Sequence, residues 1–123
     1  MNYNEEKRMD AVPGYINKVF YLRGEKVMLE EDVAALFEIE LKKFRQKVSR
    51  NAGRFPPDFR FVPTAQEWQN LQLQMETPSK IGDVTIPAVF TEHGILMASG
   101  LINTNRAIKI SIEIINQLCS FFK

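Results

Sequence analysis

The segment from Glu30 to Arg50 constrains this chain more than any other, because its apolar residues fall into two helical registers with room between them only for a tight turn. Glu30, Glu31 and Asp32 put negative charge where a helix N-terminus favours it, and Val33, Ala34, Leu36 and Phe37 supply an apolar helical face. Glu38-Ile39-Glu40 can form the turn. Leu41, Phe44 and Val48 then recur at i, i+3 and i+7 as the buried stripe of a second helix that ends near Arg50. Two helices joined in this way predict a helix-turn-helix, with Val33, Phe37, Ile39, Phe44 and Val48 inside and the small Ala34 where the second helix crosses the first. The turn of such a motif often carries glycine, which tolerates a positive φ. Glu38 stands near that position, so a different turn geometry or some strain is expected.

Around this unit the pattern alternates between strands and helices. Residues 1–14 form a polar arm ending in Pro13-Gly14, and the domain is expected over 15–123. From Lys18 to Leu29 the run reads as a β-hairpin centred on Gly24-Glu25 in a type II′ turn, which would set Arg23 opposite Lys26. Pro56-Pro57 stop the second helix. A strand over Phe59–Val62 follows, then a Thr64-Ala-Gln-Glu67 capping box opening a helix to about Met75, with Pro63 placed to pack on Trp68. Val84–Phe90 reads as a strand at a sheet edge, because Pro87 cannot donate to a ladder. Thr91 can cap a helix from Glu92 to about Ser99, and Asn103 or Thr104 a last one from Asn105 onward. The fold class is therefore α+β: a small sheet of about four strands with a helix-turn-helix and a long C-terminal helix.

The last helix carries two apolar stripes, Ile108, Ile112, Ile115, Cys119 and Phe122 beside Ile110, Ile114, Leu118 and Phe121. One stripe can pack on the domain, and the second predicts a homodimer through residues 105–122 or a further segment. An unusually central core helix is the other way to bury both.

Composition matters through its distribution. The 123 residues carry 16 basic and 15 acidic side chains, a net +1 that argues against a strongly basic nucleic-acid binder. Residues 41–60, however, hold Lys42, Lys43, Arg45, Lys47, Arg50, Arg54 and Arg60 against Asp58 alone, a net +6, and the acidic residues before them cancel it. Within the second helix, Lys43, Lys47 and Arg50 share one face and Lys42, Gln46 and Ser49 the stripe beside it.

Catalytic patterns are lacking. His93 beside Glu92 offers neither a metal triad nor a nucleophile with its base, so a capping or packing role is expected for Thr91-Glu92-His93. Cys119 has no base partner in sequence and reads as a buried thiol, and there is no phosphate-binding Gly-Lys-Ser/Thr loop. Neither an enzyme nor a cofactor or metal is expected. No signal peptide opens the sequence, and no uncharged run approaches the roughly 20 apolar residues of a membrane span. A cytoplasmic location away from the membrane is the expectation.

Taken in order, Val19-Phe-Tyr-Leu-Arg-Gly-Glu-Lys-Val-Met-Leu, Asp32-Val-Ala-Ala-Leu-Phe, Val48-Ser-Arg-Asn, Arg54-Phe-Pro-Pro-Asp-Phe-Arg-Phe, Pro87-Ala-Val-Phe-Thr-Glu-His-Gly and Asn105-Arg-Ala-Ile make a chain that resembles the amino-terminal DNA-binding domain of phage antirepressor-like proteins, related to the KilA-N and Bro-N domains. The resemblance implies a regulator from a phage or prophage, in a bacterial or phage-infected cell. It departs from the family at Glu38, where glycine is common, and at Lys80-Ile-Gly-Asp-Val, where a more basic Gly-Gly-Arg-like segment is usual. If the helix over 41–50 enters the major groove of double-stranded DNA, Lys42, Lys43, Gln46 and Lys47 face base edges, Ser49 lies on the same surface, and Arg45, Arg50, Asn51 and Arg54 hold phosphates. Arg23, Lys26 and Lys80 are further phosphate candidates. The alternative is a protein-interaction module that titrates a repressor protein or assembles through its C-terminal helix.

Overall fold

Alternation along two strands decides how the domain is layered. In β2 (Glu25–Leu29), Val27 and Leu29 point to one face and Met28 to the other; in β4 (Val89–Thr91), Val89 and Phe90 divide in the same way. Both faces of the sheet are therefore apolar and both are covered by helices. The computed structural model describes residues 18–75 and 85–120, with backbone alone for residues 114, 115 and 117–120. The 1–14 arm, Lys80 and its loop, Phe121 and Phe122, and the side chains of Ile114, Ile115, Leu118 and Cys119 lie outside that description.

Within it the chain is α+β. β1 (Val19–Leu22) and β2 form a hairpin, α1 (Glu30–Leu36) and α2 (Leu41–Arg50) follow, and a single 3-10 turn (Ala52–Arg54) leads to β3 (Arg60–Phe61). Then come α3 (Ala65–Gln72), β4, α4 (Glu92–Ser99) and α5 (Asn105–Ser120). The four-stranded antiparallel sheet has the order β1-β2-β4-β3. One face packs Phe20, Val27, Leu29, Phe61 and Val89 against Trp68 and Leu71 of α3. The other packs Met28 and Phe90 against α1 and α2 and against Ile95, Ala98, Ala107 and Ile110 from α4 and α5.

Two expectations need correction. β4 is an inner strand between β2 and β3, and Pro87 is fully buried just before it, where its missing N–H costs the ladder nothing. The hairpin turn is centred on Arg23-Gly24, with φ of +55° and +75°, in the manner of a type I′ turn, so Leu22 faces Glu25 and Tyr21 faces Lys26. Positive φ at both central residues matches the right-handed twist of the strands, which is why this register wins. Arg23 consequently does not oppose Lys26.

The remaining boundaries follow from their caps. Thr64 accepts from the Glu67 N–H while the Glu67 carboxylate accepts from the Thr64 N–H, completing the capping box, and α3 ends at Gln72, short of Met75. Gln74, just beyond it, donates to and accepts from the Tyr21 backbone through its side-chain amide, 2.9 and 3.0 Å, and so covers the β1 edge. Thr91 caps α4, accepting from the Gly94 N–H and donating to the Asp58 carbonyl at 2.9 Å. Gly94 must be glycine, because a Cβ there would run into the Phe59 carbonyl. His93 stacks on the Phe59 ring, centroids 5.5 Å apart. Phe-Thr-Glu-His-Gly is thus a clamp that fastens β4 and α4 to the segment after α2.

Candidate nucleic-acid interface

The turn between α1 and α2 is a Schellman closure. The Ile39 N–H donates to the Ala34 carbonyl at 3.0 Å and the Glu38 N–H to the Ala35 carbonyl at 3.1 Å, with Glu38 in the left-handed region at φ +55°. Glu38 therefore occupies the position that glycine fills at lowest cost, and the strain expected of it is local to one residue. From the other side, the Thr104 hydroxyl donates to the Phe37 carbonyl at 2.6 Å and accepts from the Ala107 N–H, so the cap of α5 also braces this turn.

α2 is held by fully buried Phe44 and largely buried Val48. Phe44 touches Phe37 and Phe90, with centroids 6.4 and 5.4 Å away, and Phe55 meets Phe90 edge-on at 5.8 Å. This aromatic row fixes the rotation of the helix about its axis. Lys42, Lys43, Arg45, Gln46, Ser49 and Arg50 are consequently exposed, and Lys47 is half-buried. The structure brings these predicted residues onto one continuous surface, and Arg54 extends it as an exposed side chain in the 3-10 turn. Lys42, Lys43, Lys47, Arg50 and Arg54 form no ion pair with the described residues.

The start of α2 departs from helix chemistry. Glu40 at the N-cap makes no side-chain cap bond, and the first turn holds Lys42 and Lys43 with no acidic residue. Cations at the positive end of a helix are unfavourable by a few tenths of a kcal/mol each. α1, by contrast, begins with three acidic residues, as stability alone would dictate.

Three predicted contacts take other roles. Arg45 donates through Nε and Nη2 to one oxygen of Glu30, at 3.1 and 2.9 Å, and the Glu30 carboxylate is nearly buried at the start of α1. Its charge ties the two helices together, and a phosphate would have to compete with that carboxylate. Asn51 donates its side-chain amide to the Lys47 carbonyl at 2.8 Å and so closes the end of α2. Arg23 is further from the expectation: Nε and Nη2 clasp both oxygens of Glu67 at 2.7 and 2.9 Å, and its guanidinium lies 3.8 Å over the Phe61 ring. Arg23 and the Thr64 N–H together hold the Glu67 carboxyl at about 2, well below the usual range. Arg23 thus serves the fold, and Lys26 is half-buried in the hairpin opposite Tyr21.

Sequence reasoning missed one residue near this surface. Arg60 pairs across β3–β4 with Phe90 and so points to the face of the sheet that carries α1 and α2. It lines a groove of about 510 Å³ between α2 and the segment entering β4, together with Arg45 and Ser49 on one side and Thr85 on the other. The clue was available in Phe59-Arg60-Phe61-Val62, where alternation puts a cation at a position facing Phe90.

Among the described residues, no three His, Cys, Asp or Glu side chains gather as metal ligands, and no helix is long and apolar enough to cross a membrane. Searches among curated proteins and among solved structures each returned no match. A family model does match, the ORF6N domain, over residues 17–101, which spans the hairpin, α1, α2, the whole sheet and α4. The chain belongs to the ORF6N domain family, a domain found in phage-type proteins.

Proposed function

We propose that this ORF6N chain is a sequence-specific DNA-binding domain of a phage or prophage regulator of the antirepressor kind, related to KilA-N and Bro-N domains, and that it lays α2 in the major groove. The observation that carries the reading is the α2 surface: Lys42, Lys43 and Arg50 are exposed without an ion pair among the described residues, with Gln46 exposed beside them, on a helix whose rotation Phe44 and Val48 fix. Lys42 and Lys43 disfavour their own helix terminus, and an external polyanion gives them a compensating role. Lys42, Lys43, Gln46 and Lys47 read base edges, with lysine suited to guanine and glutamine to adenine; Arg50 and Arg54 hold phosphates. The test is selection of bound duplexes from a random pool. Enrichment of one motif supports the reading, and half-sites about one helical turn apart identify a paired helix-turn-helix; no enrichment contradicts it.

One observation favours a second reading, assembly through the C-terminal helix. Ile108 and Ile112 lie one turn apart on α5 and are 48% and 55% exposed, while Ala107 and Ile110 face the core. A second copy of the chain or a repressor protein laid on that stripe would bury them. Sedimentation of the chain, with Ile108→Lys as the comparison, separates assembly from a monomeric DNA binder.

A further inference from the structure

We propose that Arg60, in the groove beside α2, binds a backbone phosphate of the same duplex; the inference rests on the DNA reading above and adds a contact outside the helix-turn-helix. Strand alternation places Arg60 opposite Phe90, on the face where Met28 and Phe90 pack toward the helices. Its Nε is enclosed by protein and has no hydrogen-bond partner among the described residues. A guanidinium nitrogen shielded from water without an acceptor is costly, so the arginine is a poor choice for packing alone. The rings of Phe44, Phe55 and Phe90, which line the groove, carry no acceptor. The described carboxylate that lines it, Glu30, is engaged by Arg45 through two hydrogen bonds. Two arginines against one carboxylate leave the groove a net positive charge, and Ser49 and Thr85 add hydroxyl donors on opposite rims. An anion with several acceptor oxygens complements that set, and α2 forms one wall, so a phosphate flanking the major-groove contact is the ligand within reach.

Arg60→Met tests the assignment, because it keeps an apolar stem in the groove and removes the unsatisfied nitrogen. The melting temperature is expected to hold or rise. Duplex affinity is expected to fall about five- to tenfold at 100 mM salt, and the slope of log affinity against log salt to lose about 0.9, the value for one phosphate. Unchanged affinity and slope in a folded Arg60→Met chain overturn the inference. A second measurement holds even if that variant fails to fold. In the wild-type chain the Arg60 Nε–H resonance, identified by its absence from Arg60→Lys, should shift on adding duplex and stay in place with inorganic phosphate at equal phosphate concentration. A shift with inorganic phosphate that matches or exceeds the duplex effect overturns the assignment in favour of a free-anion site. A wild-type chain that binds no duplex removes the DNA reading itself, which is distinct from a chain that binds duplex without using Arg60.

Discussion

At the β1 edge of the sheet, polar and charged side chains close on one another, whereas along α2 they face outward. Arg23 meets both oxygens of Glu67 and covers Phe61, and Gln74 satisfies the Tyr21 backbone. On α2, Lys42, Lys43 and Arg50 have no described anionic partner, and the one arginine that has, Arg45, sits on the flank next to Glu30. Both regions are rich in cations. What separates them is whether the fold supplies the counter-charge, and a cation without one is the better pointer to an external ligand.

The clamp that carries these regions is the place where a single change should matter most. Gly94→Ala forces a methyl into the Phe59 carbonyl and is expected to cost about 3 kcal/mol or more, read as loss of the cooperative melt. If Gly94→Ala melts like the wild type, the clamp does not hold β4 and α4 to the segment after α2 as described. At the β1 edge, Arg23→Ala removes an exposed ion pair and a cation–π contact together and should lower the melting temperature by less than Gly94→Ala does, while leaving duplex affinity unchanged. A drop in affinity without loss of stability would return Arg23 to the DNA surface and erase the contrast.

The contrast was only partly legible in the sequence. α2, the Thr64–Glu67 capping box and the Thr91 cap rest on residues within a few positions of one another, so periodicity and spacing were enough to place them. The ion pairs were not legible, because Arg23 and Glu67 lie 44 residues apart and Arg45 and Glu30 lie 15 apart. Only the folded chain brings them together. For the same reason the seven cations between 41 and 60 could not be divided by whether the fold supplies a counter-charge, and only the structure pairs Arg45 with Glu30. The placement of β4 inside the sheet likewise depends on β3 and β2 both pairing with it, which Pro87 obscured.

Smaller effects probe the helix-turn-helix itself. Burial, only partly offset by Lys18, raises the Asp32 carboxyl to about 6 from its usual 3.8, so the folded state holds that proton more tightly than the unfolded chain. Its contribution is therefore full below about pH 4 and is lost as pH rises through 6. Asp32→Asn should accordingly gain about 1 kcal/mol relative to the wild type between pH 4 and 7, in paired denaturant titrations; a constant difference across that range would contradict the assignment. Glu38→Gly relieves the left-handed residue in the turn and should raise stability by about 0.5–1 kcal/mol with DNA contacts intact. Lys42→Glu has the smallest expected effect on the fold and the most informative sign. It should stabilise the chain by a few tenths of a kcal/mol through the helix dipole while weakening duplex binding.

The central claim is that the α2 face meets a nucleic-acid backbone, and a salt titration of duplex affinity tests it most directly, comparing the wild type with Lys43→Glu/Lys47→Glu. With about three phosphates neutralised by Arg50, Arg54 and Arg60, wild-type affinity is predicted to fall about fortyfold between 50 and 200 mM salt, and the doubly reversed chain to bind far more weakly. Equal affinity for the two folded chains would contradict the account.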